Sequence, residues 1–152
     1  MLTSTFKVFK TNRGIYQKFL EGYTLEQLNT IPEGFKNNLL WNIAHVIIVQ
    51  QSLVYKLSGT PTYVPDALIQ KYTKGTKPDG KATQEEVDEL KRLVISLGIK
   101  MEEDYKAGKF KQLKEFTTST GFTLTTVEDA ITFNTYHEGI HLGIMLGLKK
   151  FV

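Results

Sequence analysis

The sequence predicts an all-α protein that folds as a four-helix bundle. Four segments have the length and apolar spacing of α-helices, whereas the alternation with a period of two that is typical of strands is scarce outside TSTGFTLTTV. Two long connections precede and follow the third of these segments, as in bundles with crossover loops. The chain has 152 residues, of which 41% are hydrophobic and 23% charged, so we expect a single domain over residues 1–152.

The first two helices are predicted from their apolar spacing and from the residues at their ends. The second helix begins after a cap at Asn37 or Asn38 and extends to about Ser58, where a glycine and a proline follow. The first helix is expected over about residues 5–22, followed by a short helical turn at TLEQLN. Its apolar side consists of Phe6, Phe9, Ile15, Phe19 and Tyr23.

The third and fourth helices each begin with the spacing of a capping box, in which a Thr is followed three residues later by a Glu. Thr83 and Glu86 mark the start of the third helix, and Thr125 and Glu128 the start of the fourth. The fourth helix is expected to run nearly to the end of the chain. The connection before the third helix carries three of the four prolines, and the connection after it is rich in Ser, Thr and Gly, so both are predicted to be loops.

Composition excludes several classes of function. The net charge of +3 is spread along the chain without a basic cluster interleaved with aromatic residues, which argues against a nucleic-acid partner. The chain has no cysteine, so a thiolate ligand or a cysteine nucleophile is excluded. No segment has the apolar length of a signal peptide or of a membrane span, which favours a cytoplasmic protein with no membrane partner.

The histidines are the main indication of function, because the chain has only three. His137 and His141 stand four apart in the fourth helix, where both imidazoles can reach one ion from the same face. His45 is predicted to face inward from the second helix and would complete a set of three if these helices are neighbours. Three ligands are typical of a catalytic metal site with an open position. The face of the fourth helix around the pair is predicted to be buried through Ala130, Phe133, Ile140, Ile144 and Leu148.

Other interpretations of these histidines stay open at this point. Each could be a core residue that is hydrogen-bonded to a carbonyl, and for His45 alone that is the better interpretation; the pair favours a metal site. Asn134, one turn before His137, is expected either to support a ligand histidine or to line the approach to the ion.

The letters HEGIH also match the H-E-x-x-H pattern of zinc proteases, in which the Glu is the general base and a third ligand lies downstream. The eleven residues after His141 contain no His, Asp or Glu, so that ligand is missing. Glu138 lies about 100° around the helix from His137. We expect it to be exposed, and a role as general base is the alternative.

Three glycines, Gly139, Gly143 and Gly147, lie four apart on the fourth helix. Each weakens a helix by about 1 kcal/mol relative to Ala. The spacing predicts the close approach of another helix, either from the same chain or from a partner subunit.

Two segments carry a family resemblance. WNIAHVIIVQQSLVYKLSG is similar to a Trp-x-x-x-His motif, and FNTYHEGIHLGIMLGLKK is similar to a His-x-x-x-His-x-Gly motif, with PEGF before the second helix. Their order and separation resemble the DinB-like family, also called the DinB/YfiT-like metalloenzymes. The resemblance implies a four-helix bundle of up-down-down-up topology with long connections, often homodimeric. It also implies one divalent metal ion held by His45, His137 and His141. We expect Trp41 and Asn134 to line the pocket or to support a ligand histidine.

The same resemblance implies a range of functions. Its better understood members are similar to transferases of low-molecular-weight thiols, in which the ion lowers the pKa of a bound thiol for attack on a small electrophile. The alternatives are a metal-dependent hydrolase and a non-catalytic stress-response or small-molecule-binding bundle with a structural or vestigial metal. Three imidazoles suit Zn or Ni in the first place, and Fe or Cu as further candidates.

Overall fold

The computed structural model describes residues 2–152 and confirms the all-α fold. Four long helices form the bundle, and two short helices lie in the connections between them. A hairpin of two residues per strand is the only sheet in this part of the chain. The α-helices are α1 (Thr3–Gly22), α2 (Leu25–Asn29), α3 (Leu39–Gln50), α4 (Asp66–Tyr72), α5 (Gln84–Lys106) and α6 (Val127–Leu148).

Helix α3 begins where its cap was predicted, because the side chain of Asn38 accepts a hydrogen bond from the backbone N–H of Trp41 at 2.8 Å. Its last turns widen into a π-helical segment, Gln51–Lys56, two residues short of the predicted end. Within that segment Gln51 accepts a hydrogen bond from the backbone N–H of Tyr63 at 2.8 Å. This contact ties the following connection to the helix.

The predicted capping box at α5 forms only in part. The hydroxyl of Thr83 accepts from the backbone N–H of Glu86 at 3.3 Å. The carboxylate of Glu86 does not return to the cap but accepts hydrogen bonds from Lys71 at 2.7 Å and from Tyr72 at 2.5 Å. A tertiary contact with α4 therefore replaces the second half of the local motif.

The capping box of α6 lies one residue later than predicted. It consists of Thr126 and Asp129, whose carboxylate accepts from the backbone N–H groups of Thr125 and Thr126. The prediction of Thr125 and Glu128 is wrong because Glu128 faces α5 instead, where it accepts from the hydroxyl of Tyr105 at 2.8 Å.

The connection between α5 and α6 was predicted to be a loop but contains a small antiparallel hairpin. Strands β1 (Phe116–Thr117) and β2 (Thr123–Leu124) pair with Phe116 opposite Leu124. Gly121, with a φ of 83°, closes the turn between them. Leu124 is fully buried against the start of α6, so the hairpin covers that end of the bundle.

The four long helices pack in a ring in which α1 contacts α5 and α6, and α3 contacts the same two helices. Helices α1 and α5 run antiparallel, since Lys10 pairs with Glu102 whereas Arg13, further along α1, contacts the carbonyl of Val94. Helix α3 is buried on nearly every side, because α4 covers it in addition to α5 and α6. Helices α3 and α6 are therefore direct neighbours in the bundle.

The buried side of α6 is rotated from the predicted one. Ala130 and Leu148 are fully buried as expected, but Ile140 and Ile144 are 39% and 36% exposed, so the prediction is wrong for them. The rotation brings polar residues inward, because α1 and α3 supply hydrogen-bond partners for them. The buried residues of the middle of α6 are Asn134, Glu138, His141 and Met145.

The glycines of α6 have no helix against them within the described residues. A Cβ added at Gly139, Gly143 or Gly147 would meet no heavy atom within 4 Å. The close approach of a helix from the same chain is therefore wrong, and a partner subunit remains the open alternative. No helix within residues 2–152 has the length and apolar character needed to cross a membrane.

Candidate metal centre

Helices α3 and α6 bring the three histidines together, as predicted. One ring nitrogen of each of His45, His137 and His141 lies within 4.8 Å of those of the other two. The ring centroids are 4.6 to 5.2 Å apart. His45 and His141 are buried and His137 is half-buried. The four-residue spacing on α6, the inward position of His45 on α3 and the packing of α3 against α6 together explain this convergence.

The orientation of the His45 ring is fixed by a hydrogen bond and by stacking on an aromatic ring. Its Nδ1 donates to the backbone carbonyl of Tyr72 at 2.7 Å, and because a carbonyl only accepts, Nδ1 carries the hydrogen and Nε2 keeps a lone pair. The indole of Trp41 stacks on the imidazole with centroids 4.5 Å apart and an angle of 11° between the rings. Trp41 is fixed in turn by donating Nε1–H to Thr76 at 3.0 Å. Trp41 and Tyr72 also line a cavity with Lys77.

His141 is oriented by an asparagine of α3. Its Nδ1 lies 2.7 Å from Oδ1 of Asn42. The amide nitrogen of Asn42 donates to the carbonyl of Asn38 at 2.7 Å, which fixes the orientation of the amide and leaves Oδ1 as the acceptor for His141. Nδ1 of His141 therefore carries the hydrogen, and Nε2 is the nitrogen available to an ion. Such partners of ligand histidines set their tautomer and orientation.

His137 differs from the other two, because its Nδ1 is buried and has no hydrogen-bond partner. Asn134, which was predicted to support a histidine or line the pocket, is fully buried and donates its amide to Oε1 of Glu138 at 3.1 Å. Oδ1 of Asn134 and Oε2 of Glu138 are likewise buried without a partner.

Glu138 was expected to be exposed, and this prediction is wrong: the residue is 0% exposed. Arg13 of α1 donates to Oε1 of Glu138 through Nη2 at 2.7 Å and through Nε at 3.0 Å. Burial raises the pKa of Glu138, and the guanidinium of Arg13 opposes that rise. The carboxylate thus forms an ion pair with Arg13 that joins α1 and α6. Its suggested role as general base remains an untested prediction.

Sequence reasoning missed Arg13 and Asn42. The signal for Arg13 was its place among Phe9 and Tyr16 on the apolar side of α1, where a charged residue needs a buried partner. The signal for Asn42 was weaker, since a polar residue within a long apolar helix indicates only that some partner exists.

The three imidazoles are suited to bind a cation because they are neutral at pH 7. Burial lowers the pKa of all three, to about 4 for His137 and to about 3 for His141, and the neighbouring imidazoles contribute further to the lowering at these two. Nitrogen ligands of a tetrahedral zinc ion lie about 2.0–2.1 Å from it. The candidate nitrogens of the three side chains lie within 4.8 Å of one another, so the group is able to hold one ion. The residues present therefore fit a single divalent metal ion.

The lowered pKa values predict that the metal-free protein loses stability as the pH falls. The unfolded histidines titrate at 6.5, whereas folded His137 and His141 titrate at about 4 and about 3. The stabilisation is therefore present above pH 6.5 and is lost between pH 6.5 and 3, because these histidines take up protons at higher pH in the unfolded chain than in the folded protein. Thermal unfolding in chelator at pH 7, 6, 5 and 4 measures the effect.

The double variant His137→Ala with His141→Ala is the control for this pH series, because it keeps every carboxylate. Its melting temperature is expected to fall less between pH 7 and 4 than that of the wild type. Equal slopes for the two proteins would contradict the assignment.

Comparison with known protein families identifies the family of this chain. The family model of the DinB superfamily matches residues 9–145, a span that contains all three histidines and both motifs around them. No curated protein gives a significant match. The match covers most of the chain, so the protein belongs to the DinB superfamily.

Proposed function

We propose that the protein is a metal-dependent enzyme that transfers a low-molecular-weight thiol to a small electrophile. His45, His137 and His141 hold the ion, and their convergence is the observation that carries the proposal. Closed structural sites use four protein ligands, whereas this cluster supplies three and so keeps a position for a substrate.

The bound ion would supply a Lewis acid that lowers the pKa of a coordinated thiol or water. Asn42 and the carbonyl of Tyr72 bind Nδ1 of His141 and His45 and so leave Nε2 as the nitrogen that would hold the ion. Trp41 forms an apolar wall against His45. Because the chain has no cysteine, the thiol must enter with the substrate.

The position of Glu138 favours thiol transfer over hydrolysis. A hydrolase of the H-E-x-x-H type uses the Glu as a free base toward a metal-bound water. Here Oε1 of that carboxylate accepts hydrogen bonds from Arg13 and Asn134. A thiol has a much lower pKa than water, so a thiol coordinated to the ion would lose its proton to solvent without a base from the protein.

The function is tested by loading metal-free protein with Zn, Ni, Fe or Cu and measuring conjugation of glutathione and other small thiols to a chromogenic aryl halide. We expect thiol-dependent turnover with Zn or Ni that His141→Ala abolishes. Ester hydrolysis without added thiol would support the hydrolase instead. Metal-dependent thermal stabilisation without any turnover would support the non-catalytic bundle, and either result would contradict thiol transfer.

We also propose that the protein forms a homodimer through an exposed apolar face of α6. Tyr136, Ile140 and Ile144 are 56%, 39% and 36% exposed and share this face with the uncovered Gly143. Apolar side chains beside glycines allow the close approach of a second helix.

Ile140→Glu is expected to shift the protein from dimer to monomer, because a charge would be buried in the interface. Light scattering coupled to size exclusion measures the mass. Val8→Glu, at a residue of α1 that is 53% exposed, is the matched control and should leave the dimer intact. A wild-type protein that is monomeric at micromolar concentration would contradict the proposal.

A further inference from the structure

Three buried polar atoms near the candidate centre lack a hydrogen-bond partner, and they belong to residues within one turn of α6. They are Oδ1 of Asn134, Nδ1 of His137 and Oε2 of Glu138. Asn134 and Glu138 are both 0% exposed. Leaving one such group unpaired costs about 1–3 kcal/mol, so three within one turn of α6 indicate a partner that the protein side chains do not supply.

The chemistry of the three atoms is complementary. When His137 offers Nε2 to an ion, its Nδ1 carries a hydrogen and is a donor, as it is at His45 and His141. Oδ1 of Asn134 and Oε2 of Glu138 are acceptors. One donor and two acceptors are what a single water molecule satisfies, since it accepts one hydrogen bond and donates two, and buried waters typically make about three such bonds.

A network of hydrogen bonds fixes the side chain of Glu138. The second oxygen of Glu138, Oε1, accepts from Arg13 at 2.7 and 3.0 Å and from Asn134 at 3.1 Å. Arg13 also donates to Gln50 of α3 at 3.2 Å. The hydroxyl of Tyr16 donates to the backbone carbonyl of Glu138. This network links α1, α3 and α6 and fixes the direction in which Oε2 points.

We propose that one internal water bridges Nδ1 of His137, Oδ1 of Asn134 and Oε2 of Glu138, which makes Asn134 and Glu138 positioning residues for His137. They do for this histidine what the Tyr72 carbonyl and Asn42 do for the other two. The Glu of the HEGIH segment then acts through a histidine and is not itself in contact with substrate. The inference rests on the proposed metal centre.

The test uses Asn134→Leu, which removes Oδ1 at similar volume and leaves the ion pair between Arg13 and Glu138 in place. Zinc affinity is measured by competition with a chromophoric chelator. We expect a loss of about 10–100-fold, the usual effect of removing such a partner of a ligand histidine. Thr135→Val is the matched control, because the hydroxyl of Thr135 bonds only within α6; it should bind zinc as the wild type does.

Two further measurements keep the inference testable if Asn134→Leu folds poorly. Nitrogen-15 NMR of the zinc-loaded wild type should show Nδ1 of all three histidines protonated, and a high-resolution crystal structure should show one water within hydrogen-bond distance of the three atoms. Coordination of zinc through Nδ1 of His137, or direct contact of that nitrogen with Asn134, would overturn the inference.

The outcomes separate this inference from the proposed function. Wild-type protein that takes up neither zinc nor nickel overturns the metal centre and the inference with it. Wild-type protein that binds zinc with the same affinity as Asn134→Leu overturns the inference alone.

Discussion

Replacing His137 and His141 together with alanine is expected to reduce bound metal to background. The two residues supply two of the three nitrogens that lie within 4.8 Å of one another, and His45 alone cannot retain an ion against solvent. Metal is measured by mass spectrometry after purification without added metal and after loading with zinc or nickel. The wild type should carry close to one equivalent.

The double alanine variant is expected to fold, because it removes two buried imidazoles and leaves no buried charge behind. Asn42 loses the hydrogen that it accepts from His141 but keeps its bonds through the amide nitrogen. Thr132→Ala, at an exposed position of the same helix, is the matched control and should retain full metal content. Equal and negligible metal in the wild type and the double variant would contradict the candidate centre.

Arg13→Met is expected to destabilise the protein by about 3–5 kcal/mol, the usual cost of removing one partner of a buried ion pair. The substitution removes the counter-charge of Glu138, which is 0% exposed and whose Oε1 would keep only the hydrogen bond from Asn134. At roughly 2–4 °C per kcal/mol for a chain of this size, the melting temperature should fall by about 10 °C. Thermal and urea unfolding of metal-free protein measure it.

Two variants control for this effect. Arg13→Met with Glu138→Gln removes both charges, so it should recover much of the lost stability. Lys10→Met breaks a partly exposed ion pair with Glu102 one turn earlier on α1, where the expected loss is about 1 kcal/mol or less. A double variant no more stable than Arg13→Met, or a loss at Lys10 equal to that at Arg13, would show that charge burial is not the cause.

Sequence was sufficient to predict features that depend on the local chain. The four long helices follow from apolar spacing, and the start of α3 follows from a cap at Asn38. His137 and His141 lie on one side because the helical repeat places residues four apart together. The partnership of His45 with them was predicted only on the condition that α3 and α6 are neighbours, which the structure confirms.

The sequence did not predict which side chains are buried where burial depends on the rotation of a helix about its axis and on the helices that pack against it. From the local spacing, Ile140 and Ile144 were predicted to be buried and Glu138 to be exposed. In the structure the two isoleucines are exposed and Glu138 is buried, because Arg13, on a distant part of the chain, supplies it with a buried counter-charge. The N-cap of α6 also lies one residue later than predicted, because Glu128 accepts a hydrogen bond from the hydroxyl of Tyr105.

The sequence by itself thus determined the existence and approximate extent of the four long helices and which three side chains have metal-binding chemistry. Only the tertiary structure decided how α6 is turned about its axis, which polar groups orient His45 and His141, and that the Glu of HEGIH faces Arg13. The physical reason is that helical periodicity arises from neighbouring residues in the chain. The burial of a polar group depends on partners that lie up to 125 positions away.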